Sequence, residues 1–388
     1  MSKATGTIRK MVKRLMTAWL IPGAGLLWTN GAHATVCLGK FLLDLPDDVE
    51  IALPTHDYMI WTNPGANWNN HANYVFIDEA KTPGKMGIED RERSRETQAT
   101  YSTQYIGGKE LISGREMSRQ EFAKFKVQAY TQTRETILLS GGEADYRMQQ
   151  LDFKEHAGTD SFAIFNRLYL WRGGRIFAWP YREWEDAETA QWVAFVDKNL
   201  SARRMDEIPA KNGVCLNMGF IEDGDLALTP RKVAVTFRWK SHPEVEIFFS
   251  DKSVGAGRMQ TDASSGLKDF WMSYYDGALK RPYLLYDQKQ RGAGFPEHML
   301  GGIPGRESRV EINYQDGKID YGYVVYAAGE VKDKPDRSDL MLYVIRNASR
   351  AKGTPMGKDE FMAFADKIAA SVRRRVVPPA AELRGKNE

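Results

Sequence analysis

Val36-Cys37-Leu38-Gly39-Lys40-Phe41-Leu42-Leu43-Asp44 stands near the start of this chain, and Val214-Cys215-Leu216, followed by Phe220-Ile221-Glu222-Asp223, stands 178 residues further on. A second pair of matching stretches lies 169 residues apart. Phe195-Val196-Asp197-Lys198 leads to Arg203-Arg204 and Pro209, and Phe364-Ala365-Asp366-Lys367 leads to Arg373-Arg374-Arg375 and Pro378. Self-similarity at a fixed offset is the sequence mark of a repeated structural unit. The opening and closing offsets nearly agree, so the units are nearly equal in length. They read as two tandem related domains, residues 35–208 and 213–378, followed by a flexible tail over 379–388. The boundary falls near 206–213, where Pro209 and the polar Lys211-Asn212-Gly213 interrupt both patterns.

Both closing stretches are amphipathic. Trp192, Phe195, Val196 and Leu200 follow i, i+3, i+4, i+8 spacing, and Phe361, Phe364, Ala365, Ile368 and Val372 continue the same period, which predicts two helices with one apolar face each. Arginines in a last turn suit the negative end of the helix dipole, and a proline beyond blocks continuation. The arginine runs therefore read first as helix ends on a solvated face, and second as partner contacts. Ser118 with Glu121 makes a capping box ahead of a further helix from about Arg119 to Leu139, and another is expected from Gly266 to Tyr275.

Between these markers the pattern is that of antiparallel strands. Leu168 to Trp171 and Ile176 to Trp179 flank Gly173-Gly174, and Val310 to Tyr314 and Tyr321 to Tyr326 flank Asp316-Gly317. Glycine-centred turns between apolar runs are hairpin signals. Val233 to Phe237 with Val245 to Phe249 form another candidate pair, and Met341 to Ile345 a further strand. Strand clusters closed by helices imply an α+β class, each domain an antiparallel β-sheet packed with helices.

The first residues predict export. Lys10, Lys13 and Arg14 precede a mostly apolar stretch from Leu15 to Trp28, and Ala32-His33-Ala34 offers the small-x-small cleavage pattern. The run of 14 residues falls short of the roughly 20 needed to span a bilayer. Residues 1–34 are expected to be removed after Ala34, placing the mature protein in the periplasm with no stable membrane insertion. The cut matters for charge. The whole chain carries 54 Lys+Arg against 51 Asp+Glu, and five of the basic residues (Lys3, Arg9, Lys10, Lys13, Arg14) lie before the cut with no acid. The mature chain keeps 49 against 51, a net −2, which removes the basic excess expected of a nucleic-acid binder.

Cys37 and Cys215 are the only cysteines, at matching positions of the two units. In an oxidising compartment they permit one disulfide, which would close a long loop and contribute roughly 4–5 kcal/mol in the chain-entropy model. The other reading makes each a small buried apolar residue of a repeated core. Two cysteines without a close-spaced partner do not suggest a zinc site.

No motif for catalysis stands out. A Gly-x-Ser-x-Gly elbow is absent; Ser265-Gly266-Leu267-Lys268 matches Ser-x-x-Lys, but a capping role for Ser265 is the simpler reading. His56, His71, His156, His242 and His298 are scattered, and Asp223-Gly224-Asp225 reads as a turn rather than a calcium loop. No phosphate-binding glycine loop is present, so no cofactor is implied. Two glycine- or asparagine-rich segments, Asn63 to Asn70 around Trp68 and Gly292 to Gly305, read as connections or as interface loops.

The stretch Val36 to Pro46, with its cysteine, Gly39, aromatic and Asp-Leu-Pro, resembles the start of the type VI secretion lipase immunity proteins, the Tle-cognate family. Gly213-Val214-Cys215-Leu216 with Gly219-Phe220-Ile221 resembles the opening of that family's second domain, and Gly305-Arg306-Glu307 and Ser371 to Arg375 fit its remainder. The acidic-basic stretch Glu89 to Glu96 has no match in it. The resemblance, over residues 36–378, implies a periplasmic, non-enzymatic α+β protein whose partner is a lipase effector, gripped so that lid opening or substrate entry is hindered. It carries over no catalytic, cofactor or metal residue. The residues also leave open a cell-envelope scaffold or lipid-binding role, or an envelope-polymer hydrolase using two carboxylates.

Overall fold

The first half opens with a hairpin, β1 (His33–Leu38) and β2 (Phe41–Pro46), paired antiparallel about Gly39. Gly39 has φ 58°, a left-handed conformation that disfavours a Cβ, and a Cβ there would run into the Asp251 carboxylate. In this computed structural model the described residues are 33–54, 74–77, 103–106, 109–139, 153–155, 160–164, 167–180, 187–223, 231–253, 263, 267, 295–313, 317–329 and 338–377. Residues 1–32 of the expected signal, the Asn63 to Asn70 segment and residues 378–388 lie outside them.

After the hairpin come β3 (Val49–Pro54), β4 (Tyr74–Ile77), β5 (Thr103–Ile106), β6 (Lys109–Glu110) and β7 (Ile112–Glu116). Helix α1 (Arg119–Leu139) begins at the capping box. The Ser118 hydroxyl accepts from the Glu121 amide at 3.2 Å, while the Glu121 carboxylate accepts from the Ser118 amide at 2.8 Å. Next are β8 (Phe153–Glu155), β9 (Ser161–Ile164), β10 (Arg167–Arg172), β11 (Arg175–Pro180), α2 (Ala187–Asn199) and β12 (Leu200–Ala202). The second half repeats the opening with β13 (Gly213–Cys215) and β14 (Gly219–Glu222). It continues through β15 (Arg231–Trp239), β16 (Val245–Ser253), β17 (Glu297–Leu300), β18 (Ile303–Asn313), β19 (Ile319–Ala327) and β20 (Ser338–Arg346), and closes with α3 (Lys358–Ser371) and β21 (Arg373–Arg374).

All strand pairs among the described residues are antiparallel. One sheet runs β7-β11-β10-β9-β8, its central hairpin turning on Gly173 and Gly174 at φ 52° and 84°. The larger sheet runs β17-β18-β19-β20-β16-β15 and is extended by β3 and β4, with β5 also pairing to β15. The first half thus lends strands to the second half's sheet. On one face of the smaller sheet, Phe122, Phe125 and Ala129 of α1 pack on Phe162, Tyr169 and Ile176. The larger sheet has a comparable layer, Phe248, Val310, Val324 and Tyr343, into which Leu267 packs. The remaining faces share one core: Leu170, Phe177 and Trp179 from the smaller sheet join Phe237, Phe249, Val325 and Leu342 from the larger. Each such side chain contributes roughly 1.5–3 kcal/mol when fully buried.

The closing strands are exchanged. β12 follows α2 of the first half but pairs with β14 of the second, Leu200 opposite Ile221 and Ala202 opposite Gly219. β21 follows α3 of the second half but pairs with β2 of the first, Phe41 opposite Arg374 and Leu42 opposite Arg373. Each half's closing strand completes the other half's opening hairpin. The helices therefore stop earlier than the apolar period suggests. Leu200 opens a strand and Val372 is an extended C-cap with ψ 123°, so the arginines that follow lie beyond the last helical turn. Helix α3 is seated by Phe364 stacked on Trp239 at 4.7 Å and by ion pairs Lys358–Glu311 and Arg309–Asp366 at 3.0 and 2.8 Å. Among the described residues no helix is long and apolar enough to cross a membrane.

Candidate binding site at the junction of the halves

The two opening hairpins meet at Cys37 and Cys215, which are joined by a disulfide with Cα atoms 5.7 Å apart. Both cysteines are wholly buried and packed with Phe220 and Leu42. The backbones bridge beside the bond, Gly39 donating to the Cys215 carbonyl at 2.8 Å and Cys215 to the Gly39 carbonyl at 2.9 Å.

Strand register makes the two corners equivalent. Cys37 lies opposite Leu42 and Leu42 opposite Arg373; Cys215 lies opposite Phe220 and Phe220 opposite Ser201. Two residues past these partners stand Arg375 and Arg203. The Arg203 amide donates to the Met218 carbonyl at 3.2 Å, and the Arg375 amide to the Lys40 carbonyl at 2.9 Å. Neither side chain is on a solvated helix end. Arg203 is 4% exposed and Arg375 9%. The Arg203 guanidinium donates to the carbonyls of Gly219, Arg204, Met205 and Glu207 at 2.8–3.0 Å, to Leu216 at 2.8 Å, and to Cys37. Arg375 donates to the carbonyls of Pro209, Lys211 and Gly213 at 2.7–2.8 Å and lies over the Phe220 ring, 5.5 Å from its centre. Burial pulls the Arg375 pKa down and the charge of Asp223 opposes it. A buried guanidinium is tolerated only where acceptors replace its water; here they are carbonyls of the segment linking the halves, joined for Arg203 by those of Cys37, Leu216 and Gly219.

A buried ion pair anchors the junction to the larger sheet. Arg231 Nε and the Asp251 carboxylate, both inaccessible to solvent, are 3.0 Å apart. Asp251 also accepts from the Lys40 amide at 3.0 Å, and Arg231 donates to the Ser338 hydroxyl at 2.6 Å. Lys40 in turn pairs with Asp223 at 3.3 Å, which places that acid in the junction. At the rim, Ile208 and Val376 are 45% and 85% exposed, next to the Arg204–Asp206 and Lys211–Glu222 pairs.

A second polar cluster lies across β17, β18 and β19. Glu307 accepts from His298, Arg309 and Tyr323 at 3.0–3.1 Å. Burial alone would raise its pKa, but these bonds outweigh it and hold the carboxyl at about 2. Burial and the Glu307 charge push the Tyr323 hydroxyl well above its ordinary range. His242 is held by Glu244 and Trp239, at 3.3 Å and a 4.4 Å ring separation. Gly301-Gly302 is the turn joining β17 to β18, with φ 59° and 81°. His56, His71, His156, Ser265, Lys268 and Gly292 to Gly294 lie outside the described residues, as does all of the expected Gly266 to Tyr275 helix except Leu267, which is helical. Among the described residues no group of three His, Cys, Asp or Glu side chains could hold a metal ion.

The chain matches no family model and no curated protein. Its fold is shared with immunity proteins of the type VI secretion system. The immunity protein TplEi from Pseudomonas aeruginosa, in complex with an "L" peptide, superposes with a TM-score of 0.54 at 16% identity, over 89% of this chain and 99% of TplEi. Its apo structure gives 0.53 at 16%, over 88% and 97%. A chain of the Tle4–Tli4 complex gives 0.52 at 17%, again over 88% of this chain and 97% of the other. These neighbours are of the class that the opening residues resemble.

Proposed function

We propose that this chain is an immunity protein that binds and neutralises a lipase or phospholipase effector of a type VI secretion system in the periplasm. The observation carrying this reading is the fold likeness, which runs along nearly the whole of both chains rather than over one common module. It meets the motif resemblance at Val36 to Pro46 and Gly213 to Ile221 from an independent direction. In this reading residues 35–208 and 213–378 are duplicated domains that grip one effector together, and neutralisation is steric: bound protein blocks lid opening or substrate entry. Removal of residues 1–34 would take His33 and Ala34 from β1 and leave Thr35 to Leu38 paired with β2.

The experiment is co-expression of the mature chain with type VI secretion lipase effectors, beginning with any that the neighbouring genes encode, chain and effector both directed to the periplasm. A stable complex on size exclusion and survival of the host are expected. Cell lysis at the same rate with and without the chain, and no complex, would overturn the proposal.

A further inference from the structure

We infer that Cys37–Cys215, Arg203 and Arg375 act as one latch, in which the two arginines hold the linking segment closed and gate a thiol reductant's access to the disulfide. The linking segment is held along its length: Arg203 takes the carbonyls of residues 204, 205 and 207, and Arg375 those of 209, 211 and 213. Arg203 also binds the carbonyls of Cys37 and Leu216, so the same guanidinium that fixes the linker fixes the backbone on both sides of the bond. Phe220 packs on the cysteines, and Arg375 covers its ring. Gly213 has φ 154° and would drive a Cβ into Phe220 and the Ile221 carbonyl, so the linker's end packs directly against Phe220.

Reduction is thiol–disulfide exchange and needs a thiolate in contact with sulfur. A dithiol attacks one cysteine sulfur, the Cys37–Cys215 bond breaks and a mixed disulfide forms. Its second thiol then closes a ring, leaving an oxidised cyclic disulfide and two cysteine thiols that carry the reductant's two protons. Both sulfurs lie in residues with no solvent exposure, so exchange waits on local opening, and the opening rate is set by the bonds that must break first. This latch is independent of the effector reading.

The test uses the mature chain under native conditions with dithiothreitol, quenched by alkylation and read by mass. The wild type should reduce slowly. Arg375→Ala should reduce faster by about tenfold or more, as expected when an opening step loses one of its barriers, and Arg203→Lys, which keeps charge but loses the fork, should do the same. Arg119→Ala, on α1 and outside the bonds of the latch, should match the wild type, and in denaturant all four should reduce alike. Trypsin gives a second readout: cleavage after Lys211 should be slow in the wild type and about tenfold faster in Arg375→Ala. If Arg203→Lys fails to fold, Arg375→Ala decides. Wild-type reduction and cleavage rates in folded Arg375→Ala would overturn the latch.

Discussion

Arg203 reaches six carbonyl oxygens drawn from three segments, Cys37, residues 204–207 and the β13–β14 turn. Arg375, at the equivalent register position, reaches three from the linking segment alone and leans on an aromatic ring. The difference shows how one repeated position takes two tasks. A guanidinium leaves water at high cost, and the cost is offset only where enough acceptors converge. Around Arg203, strand ends from both halves point their carbonyls inward, and the side chain becomes a hub. Around Arg375 only the linker supplies acceptors, and it serves as a strap. The Arg231–Asp251 pair, deeper still, solves the same problem with a carboxylate.

Substitutions rank the two corners. Arg203→Ala should cost about 3–5 kcal/mol, because it strands several buried carbonyls at once; urea unfolding measures it. Gly39→Ala, which combines positive φ with a clash against Asp251, should cost about 2–4 kcal/mol by the same assay. Arg375→Ala should cost about 1–3 kcal/mol. Equal losses at the two arginines would break the contrast between hub and strap.

Two changes away from the junction sharpen it by leaving it untouched. Glu307 has its pKa lowered to about 2 by His298, Arg309 and Tyr323. Its contribution is therefore fully present above its ordinary pKa of 4.5 and fades as pH falls from there toward 2. Glu307→Gln should flatten stability over that window, measured as thermal midpoint against pH, and by the same amount in the wild type and in Arg375→Ala. Ser118→Ala should cost about 1 kcal/mol or less through the lost cap of α1, and reduction of the disulfide should proceed at the wild-type rate.

Local patterns were readable where local chemistry decides. The capping box at Ser118 and Glu121 marks the start of α1, and the apolar periods at Phe195 and Phe361 mark α2 and α3. The glycine turns at 173–174 and 317 join the strands they flank. The sequence places both arginine runs on solvated helix ends. Arg204, Arg373 and Arg374 are indeed exposed but lie past the helices, while Arg203 and Arg375 are buried, because helix dipoles and prolines are local arguments that count no acceptor from distant chain. A repeated arginine at a fixed step past the paired strand was the available signal, but it becomes visible only once β12 and β21 are known to be strands.

Helices α1, α2 and α3, the hairpin around Gly173-Gly174 and the pairing of Val233 to Phe237 with Val245 to Phe249 follow from periodicity and turn chemistry within short windows. The matching places of the two cysteines are read directly from the chain. Which hairpin each closing strand completes is decided only in three dimensions. So are the 5.7 Å approach of Cys37 to Cys215 and the burial of Arg203 among backbone carbonyls. A strand edge has no address in its own sequence. It pairs where packing of the shared core brings an open partner, and a buried charge is acceptable only where that packing also delivers its acceptors.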